Sequence, residues 1–272
     1  MKYEEMIGFI GAGNMAAALI RGLLESGQYS QDQLTASDVH KPSLKNLGER
    51  FEIKTCSSNI ELVKQCSTVL LCVKPQNIRE VLEEVREGLG EDHLVISIAA
   101  GIPRKVIHQA IGSSVPVIRV MPNTPALVLK GASALAGGPG VTAEHMEIAV
   151  KIFGAVGETV EVEESAMDGV TALSGSGPGY IFKIMEHMVK AAATIGLDEM
   201  TSKTLVVQTF LGASYLAKES TLSLSQLREM VTSPGGTTAA GLDSFDKMGL
   251  EETILKALGA AYARSVELGK AI

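Results

Sequence analysis

Three polar stretches, two of them rich in glycine, hold the residues best suited to bind a small polar molecule. They are MPNTPA (121–126), LSGSGPG (173–179) and VTSPGGTTA (231–239), and we interpret all three as loops. They offer backbone N–H groups and hydroxyls rather than strong acids or bases. Such groups suit a reaction that depends on positioning more than on proton transfer, and hydride transfer to an activated C=N bond is one such reaction.

Other kinds of catalytic arrangement are not indicated. The sequence shows no Ser-His-Asp arrangement with a nucleophile turn, no redox cysteine pair and no convincing pair of carboxylates. Its five histidines are scattered without metal-ligand spacing, so we expect no metal site. The three cysteines, Cys56, Cys66 and Cys72, are typical of reduced thiols in a cytoplasmic protein.

The stretch VTSPGGTTA interrupts a region that otherwise has a helical pattern. Pro234 and the two glycines after it should break the helix and leave backbone amides without intrahelical partners. Thr237 and Thr238 then lie near the start of the next helix, where free N–H groups and the helix dipole favour a carboxylate. The stretch therefore predicts a binding site for the anionic group of a substrate.

Near the N-terminus, the glycine-rich stretch GFIGAGNMAAA fits the pattern G-x-G-x-x-A between a strand and a helix. Gly11 permits the tight turn, Gly13 lets a pyrophosphate approach the backbone, and Ala16 lets the helix pack closely on the strand. The turn predicts a dinucleotide site. The residues expected to bind the cofactor here are Gly8, Gly11, Ala12, Gly13, Asn14 and Met15.

The choice between NADH and NADPH stays open at this stage. Asp38 follows the second strand, where a carboxylate would accept bonds from ribose hydroxyls and favour NADH. His40 and Lys41, with Ser37, could instead bind a 2′-phosphate and favour NADPH. The other expected cofactor residues lie at strand ends or helix starts, and they are Asn59, Val73, Lys74, Pro75, Ala99 and Ala100.

The elements around these motifs differ between the two halves of the chain. Up to about residue 162, eight short apolar runs alternate with helical patterns, which indicates βαβ units and a sheet covered on both faces. After that point the patterns are helical, over 180–197, 202–220 and 252–269. The predicted fold is α/β: an N-terminal doubly wound Rossmann-type domain (1–163), then an all-α C-terminal dimerisation and substrate-binding domain (164–272).

Composition limits the partners. The net charge is −7, which argues against binding nucleic acid or an anionic membrane, and no apolar run is long enough to span a bilayer. The N-terminus lacks the basic start and long apolar core of a signal peptide, so we expect a cytoplasmic protein. The apolar C-terminal helices should pack against a second subunit, because about a hundred residues bury only part of such surface alone.

The motifs GFIGAGNMA, CVKPQ, MPNTPA, LSGSGPGY and VTSPGGTTAAGL together resemble, in order and spacing, those of the pyrroline-5-carboxylate reductase family. The resemblance covers essentially the whole chain. It implies NAD(P)H-dependent reduction of 1-pyrroline-5-carboxylate to L-proline, the last step of proline synthesis. It also implies homodimers interlocked through the C-terminal helices, which assemble in some members into larger rings such as a decamer.

The resemblance also implies site residues. The substrate carboxylate would meet the amides of Gly236 and Thr237, and the hydroxyl of Thr238, the expected catalytic group, would bond to the ring nitrogen. The full set of substrate residues expected on this basis is Ser233, Gly235, Gly236, Thr237, Thr238, Asn123 and Ser176.

Lys183 departs from the family pattern, because members commonly carry a small or apolar residue at this position. The stretch GSGPGYIFKIMEH partly resembles the β-hydroxyacid dehydrogenases, in which a helical lysine serves as the acid-base catalyst. Two alternatives therefore accompany the reductase hypothesis: a dehydrogenase that uses Lys183, and a non-catalytic dinucleotide sensor. The loop SPGGTT has no place in the dehydrogenase alternative, so the reductase interpretation is preferred.

Overall fold

The structure, a computed structural model, describes residues 6–270. They divide into two compact units, one made of residues 6–176 with residues 261–270, the other of Gly177–Ala260. Each unit is described by itself below. The domain boundary predicted between residues 163 and 164 stays a prediction.

The first unit is built on an eight-stranded sheet. Its order is β3-β2-β1-β4-β5-β6-β7-β8, and neighbouring strands are parallel except for β6 and β7, which are antiparallel. The strands are β1 Ile7–Ile10, β2 Leu34–Ser37, β3 Lys54–Cys56, β4 Thr68–Leu71, β5 Leu94–Ser97, β6 Val117–Met121, β7 Gly131–Gly137 and β8 Gly157–Glu161. The strand order reverses at β1 and β4, which is where ligands bind in this architecture. The predicted doubly wound α/β fold is confirmed.

Helices cover both faces of the sheet, which is why β1, β2, β4 and β5 are buried throughout. One apolar core contains Phe9, Leu19 and Phe153, and the other contains Leu62, Leu71 and Ile107. The helices between the strands are α1 Asn14–Glu25, α2 Lys41–Phe51, α3 Asn59–Gln65, α4 Ile78–Val85, α5 Arg104–Ile111 and α6 Ala143–Gly154.

The rest of the chain is helical, as predicted. The further helices are α7 Met167–Val170, α8 Gly177–Ala192, α9 Glu199–Glu219, α10 Leu224–Met230, α11 Thr237–Lys247 and α12 Leu250–Lys270. None of the helices within residues 6–270 is both long and apolar enough to cross a membrane.

The prediction that LSGSGPG forms a loop was wrong. Thr171–Gly175 continues α7 as a π-helical turn, and α8 begins at Gly177. The hydroxyls of Thr171 and Ser174 donate to the carbonyl oxygens of Met167 and Val170, four residues earlier, at 2.8 and 3.2 Å. These bonds satisfy the two hydroxyls within the helix, so the polar side chains are compatible with a helical turn.

Candidate functional site

The glycine-rich turn after β1 requires glycine at Gly11. The residue has a φ of 107°, its N–H donates to the carbonyl oxygen of Ser37 at 2.8 Å, and an added Cβ would lie 2.7 Å from the carbonyl oxygen of Cys72. A side chain here would be strained by the backbone conformation and would also collide with the backbone after β4. The turn is therefore held tightly between the ends of β2 and β4.

The helix that follows presents an uncapped N-terminus. Gly13 is the N-cap of the twelve-residue helix α1, no side chain caps the helix, and its first turn holds no acidic residue. A Cβ on Gly13 would have no heavy atom within 4 Å, so the backbone is open on that side. Unpaired amides at the positive end of a helix dipole are suited to hold a pyrophosphate.

A cavity of about 290 Å³ lies beside this turn. Six residues predicted from sequence to bind the cofactor line it: Gly11, Gly13, Asp38, Asn59, Val73 and Lys74. The open glycine backbone, the uncapped helix and a carboxylate at the end of β2 fit an adenine dinucleotide.

Other predicted cofactor residues lie elsewhere. Gly8 is buried inside β1, where an added Cβ would collide with Leu62, so its role is to let α3 pack on the strand. Lys41 is exposed in the first turn of α2. Ala99 is buried and Ala100 is partly buried after the end of β5, and contact of either residue with the cofactor stays a prediction.

The remaining predicted residues lie near the turn itself. Ala12 is buried, Asn14 is exposed and Met15 is partly buried at the start of α1. Pro75 is partly buried and begins the short turn between β4 and α4.

Hydrogen bonds fix the polar groups at the end of β2. The carboxylate of Asp38 accepts from the N–H of Ala12 at 2.6 Å and from the N–H of His40 at 2.7 Å. The buried Ser37 hydroxyl donates to Asn59 Oδ1 at 2.7 Å, and Asn59 Nδ2 donates to Glu84 Oε2 at 2.6 Å. This chain of bonds links β2, α3 and α4 around the cavity.

Glu80 and Glu84 also line the cavity, and the sequence interpretation did not identify them. They lie on α4, whose buried residues Ile78, Leu82 and Val85 face the core. That pattern predicts a helix whose three acidic residues, Glu80, Glu83 and Glu84, lie away from the core. It could not show that Glu80 and Glu84 face the same space as Asp38.

Cys72 also lines the cavity. Burial raises the pKa of its thiol to about 12, so the thiol stays protonated at neutral pH. A protonated thiol is a poor nucleophile and a poor metal ligand. The group acts as an apolar wall of the cavity.

Asn123, predicted to bind substrate, has both ends of its side-chain amide bonded to the backbone. Its Nδ2 donates to the carbonyl oxygen of Ser174 at 3.1 Å, and its Oδ1 accepts from the N–H of Ala132 at 2.9 Å. It thereby joins the π-helical turn to β7. Ser176, partly buried, ends that turn, and its N–H donates to Thr171 O at 2.9 Å. Contact of either residue with substrate stays a prediction.

In the second unit, the stretch SPGGTT forms a turn that leads into α11. Gly235 has a φ of 72°, and Gly236, whose N–H donates to the carbonyl oxygen of Ser233 at 3.0 Å, is the N-cap of the eleven-residue helix. No side chain caps the helix and no acidic residue lies in its first turn. Thr237 and Thr238, its first two residues, are exposed. The predicted helix start at these threonines is confirmed.

Lys183 lies on α8 in the same unit and its side chain is exposed. Its helix also carries an ion pair between Glu186 and Lys190. This is the surface of a charged helix, and in the described part of the chain no hydrogen bond or ion pair fixes the Lys183 ammonium group for proton transfer.

These features define the chain as an oxidoreductase of the Rossmann type, with a helical C-terminal region. Residues 6–101 match a family described as NADP oxidoreductase, coenzyme F420-dependent. Residues 164–268 match the family described as pyrroline-5-carboxylate reductase dimerisation.

Similar proteins cover the whole chain. The pyrroline-5-carboxylate reductase of Methanosarcina acetivorans is 41% identical over 98% of this chain and 99% of its own length. The solved reductase of Coxiella burnetii has a TM-score of 0.93 at 37% identity, covering 97% of this chain and 98% of that one. The pyrroline carboxylate reductase of Plasmodium falciparum, solved with NADP bound, has a TM-score of 0.87 at 31% identity, covering 98% and 99%. The chain belongs to the pyrroline-5-carboxylate reductase family.

Proposed function

We propose that the chain reduces 1-pyrroline-5-carboxylate to L-proline, the last step of proline synthesis. The similarity of the whole chain to reductases of that name carries the proposal. NADH or NADPH, when bound, supplies the hydride that is added to the carbon of the ring C=N bond. Gly11, Gly13, Asp38 and Lys74 would hold the cofactor in the first unit.

The start of α11 would bind the substrate carboxylate. The Thr237 amide stands at an uncapped helix N-terminus, where the dipole favours a negative charge. The Gly236 N–H donates to the carbonyl oxygen of Ser233 at 3.0 Å and would have to share that bond with a carboxylate. The absence of an acidic residue from the first turn of this helix leaves that charge unopposed. Ser233 and Gly235 belong to the same turn and set its shape.

Thr238 would act on the nitrogen of the substrate ring. Its hydroxyl is exposed on the first turn of α11 and can both donate and accept a hydrogen bond. A hydrogen bond to the ring nitrogen would orient the C=N bond and stabilise the nitrogen as it becomes an amine. The proton on that nitrogen would come with the substrate, since the protonated imine is the better electrophile, so Thr238 would orient and stabilise the nitrogen without acting as a general acid.

The active form would be a homodimer. Large apolar side chains are exposed on the helical unit, among them Phe182, Leu205 and Leu211. A cavity of about 860 Å³ between α8 and α9 is lined partly by Val189 and Val206. A matching helical surface from a second copy would cover them, and such dimers could assemble into a ring such as a decamer. We place the enzyme in the cytoplasm, where its three free cysteines would stay reduced.

Substitution of Thr238 tests the proposed site. Thr238→Ala should lower kcat for pyrroline-5-carboxylate reduction by about 10- to 100-fold, the effect of one hydrogen bond made in the transition state. The fold should be unaffected because the side chain is exposed. Steady-state kinetics with each cofactor provide the measurement, and circular dichroism checks the fold.

Lys183→Met is the matched control, because Lys183 is also exposed in the helical unit. It should retain near wild-type activity. Full activity in Thr238→Ala would remove Thr238 from the mechanism. Loss of activity in Lys183→Met would support the dehydrogenase alternative.

A further inference from the structure

The cavity beside the glycine-rich turn carries more negative than positive charge. The carboxylates of Asp38, Glu80 and Glu84 line it, against the single ammonium group of Lys74. Glu80 and Glu84 lie four residues apart on α4, a spacing at which like charges repel. A further anion placed among these carboxylates would be repelled, whereas hydroxyl groups would find acceptors.

Two neutral side-chain donors near the end of β2 already make hydrogen bonds. The Ser37 hydroxyl, on a residue only 1% exposed, donates to Asn59, and the Asn59 amide donates in turn to Glu84. A bound phosphate is stabilised by several donors aimed at its oxygens. Here the Ser37 hydroxyl is directed at Asn59, and an N–H of the Asn59 amide is directed at the Glu84 carboxylate, so these two hydrogens are not available to a phosphate.

The basic residues after β2 are poorly placed to compensate. His40 caps α2, since its Nδ1 accepts from the N–H of Ser43 at 3.3 Å and lies 2.8 Å from the Ser43 hydroxyl oxygen. Lys41 is exposed and does not line the cavity. Asp38, in contrast, is fixed by two backbone amides where the adenosine ribose binds in this fold.

We propose that this chain discriminates against a phosphate on the adenosine 2′-oxygen and therefore uses NADH in preference to NADPH. Glu84, held in place by Asn59, is a specificity-determining residue for that choice. A 2′-phosphate would add about 1.5 to 2 negative charges to a cavity that already has an excess of carboxylates. The cofactor preference rests on the proposed use of a nicotinamide dinucleotide. It specifies which of the two cofactors, NADH or NADPH, the cavity favours.

Direct binding of adenosine fragments tests this without turnover. Isothermal titration calorimetry on the full chain compares 5′-AMP with adenosine 2′,5′-bisphosphate, which differ only in the 2′-phosphate. The wild-type chain should bind the bisphosphate more weakly than 5′-AMP. Glu84→Gln removes the charge and keeps an oxygen that can accept from Asn59. It should raise the affinity for the bisphosphate by about tenfold and change that for 5′-AMP by less than about twofold.

Glu83→Gln is the matched control, because Glu83 is an exposed neighbour on the same helix that does not line the cavity. It should leave both affinities unchanged. Tighter binding of the bisphosphate by the wild-type chain overturns the selectivity and leaves the reductase function standing. An equal gain in Glu83→Gln and Glu84→Gln overturns the role of Glu84. A chain that binds neither fragment overturns this proposal together with the dinucleotide site itself.

Discussion

Asn123 offers a test of whether a predicted substrate residue is instead a structural link. In the structure its side chain bridges the carbonyl oxygen of Ser174 and the N–H of Ala132. Asn123→Ala would remove both hydrogen bonds and leave two backbone groups without these partners. Each such bond contributes about 1 kcal/mol net, and each group left unsatisfied costs about 1–3 kcal/mol. Two backbone groups left unsatisfied therefore give an expected loss in free energy of unfolding of about 2–6 kcal/mol, which already includes the lost bonds.

Urea unfolding at fixed protein concentration measures this loss, and Thr124→Ala is the matched control. Thr124 is the next residue, its side chain is exposed, and its substitution should change the free energy of unfolding by less than about 0.5 kcal/mol. Substrate KM for the folded Asn123→Ala variant should rise only modestly. Wild-type stability in Asn123→Ala with a KM raised more than about tenfold would refute the structural interpretation and restore Asn123 to the substrate site.

Two further predictions concern the glycine-rich turn and the buried cysteines. Gly11→Ala should destabilise the chain by about 2–4 kcal/mol in thermal or urea unfolding, because its φ is 107° and the new Cβ would lie 2.7 Å from Cys72 O. Gly13→Ala should keep wild-type stability, because the new Cβ has open space around it, and should bind the cofactor more weakly in titration calorimetry. Equal stability of the Gly11→Ala and Gly13→Ala variants would contradict the requirement for glycine at position 11. Burial raises the pKa of the Cys66 and Cys72 thiols to about 12, so both stay protonated at about pH 8. Iodoacetamide should alkylate both far more slowly in the native chain than in the urea-unfolded chain by mass spectrometry, and equal rates in the two states would contradict this protection.

The sequence predicted the sheet well because most of its strands are short apolar runs between turn residues. Such runs, alternating with helical patterns, specify a sheet covered on both faces, and all eight strands lie where the runs are. The start of α11 was also predictable, since Pro234 and two glycines can end one helix and two threonines can begin the next.

What could not be predicted depends on contacts between distant positions. Asn59 and Glu84 are 25 residues apart, so their hydrogen bond and the acidic lining of the cavity follow only from the packing of α3 near α4. Arg119 is buried within an apolar strand because it pairs at 3.1 Å with Glu164, 45 residues later. The turn at Thr171–Gly175 has the composition of a loop, and only its side-chain bonds to the backbone and the link from Asn123 show why it is helical.

The reaction itself can be tested most directly by following product and cofactor together. Purified chain is incubated with 1-pyrroline-5-carboxylate and limiting NADH, or in parallel limiting NADPH, and L-proline is quantified against the reduced cofactor lost. One L-proline should form for each cofactor molecule oxidised, with faster turnover for NADH. A folded preparation that binds cofactor yet forms no proline with either would show that the chain is not a pyrroline-5-carboxylate reductase.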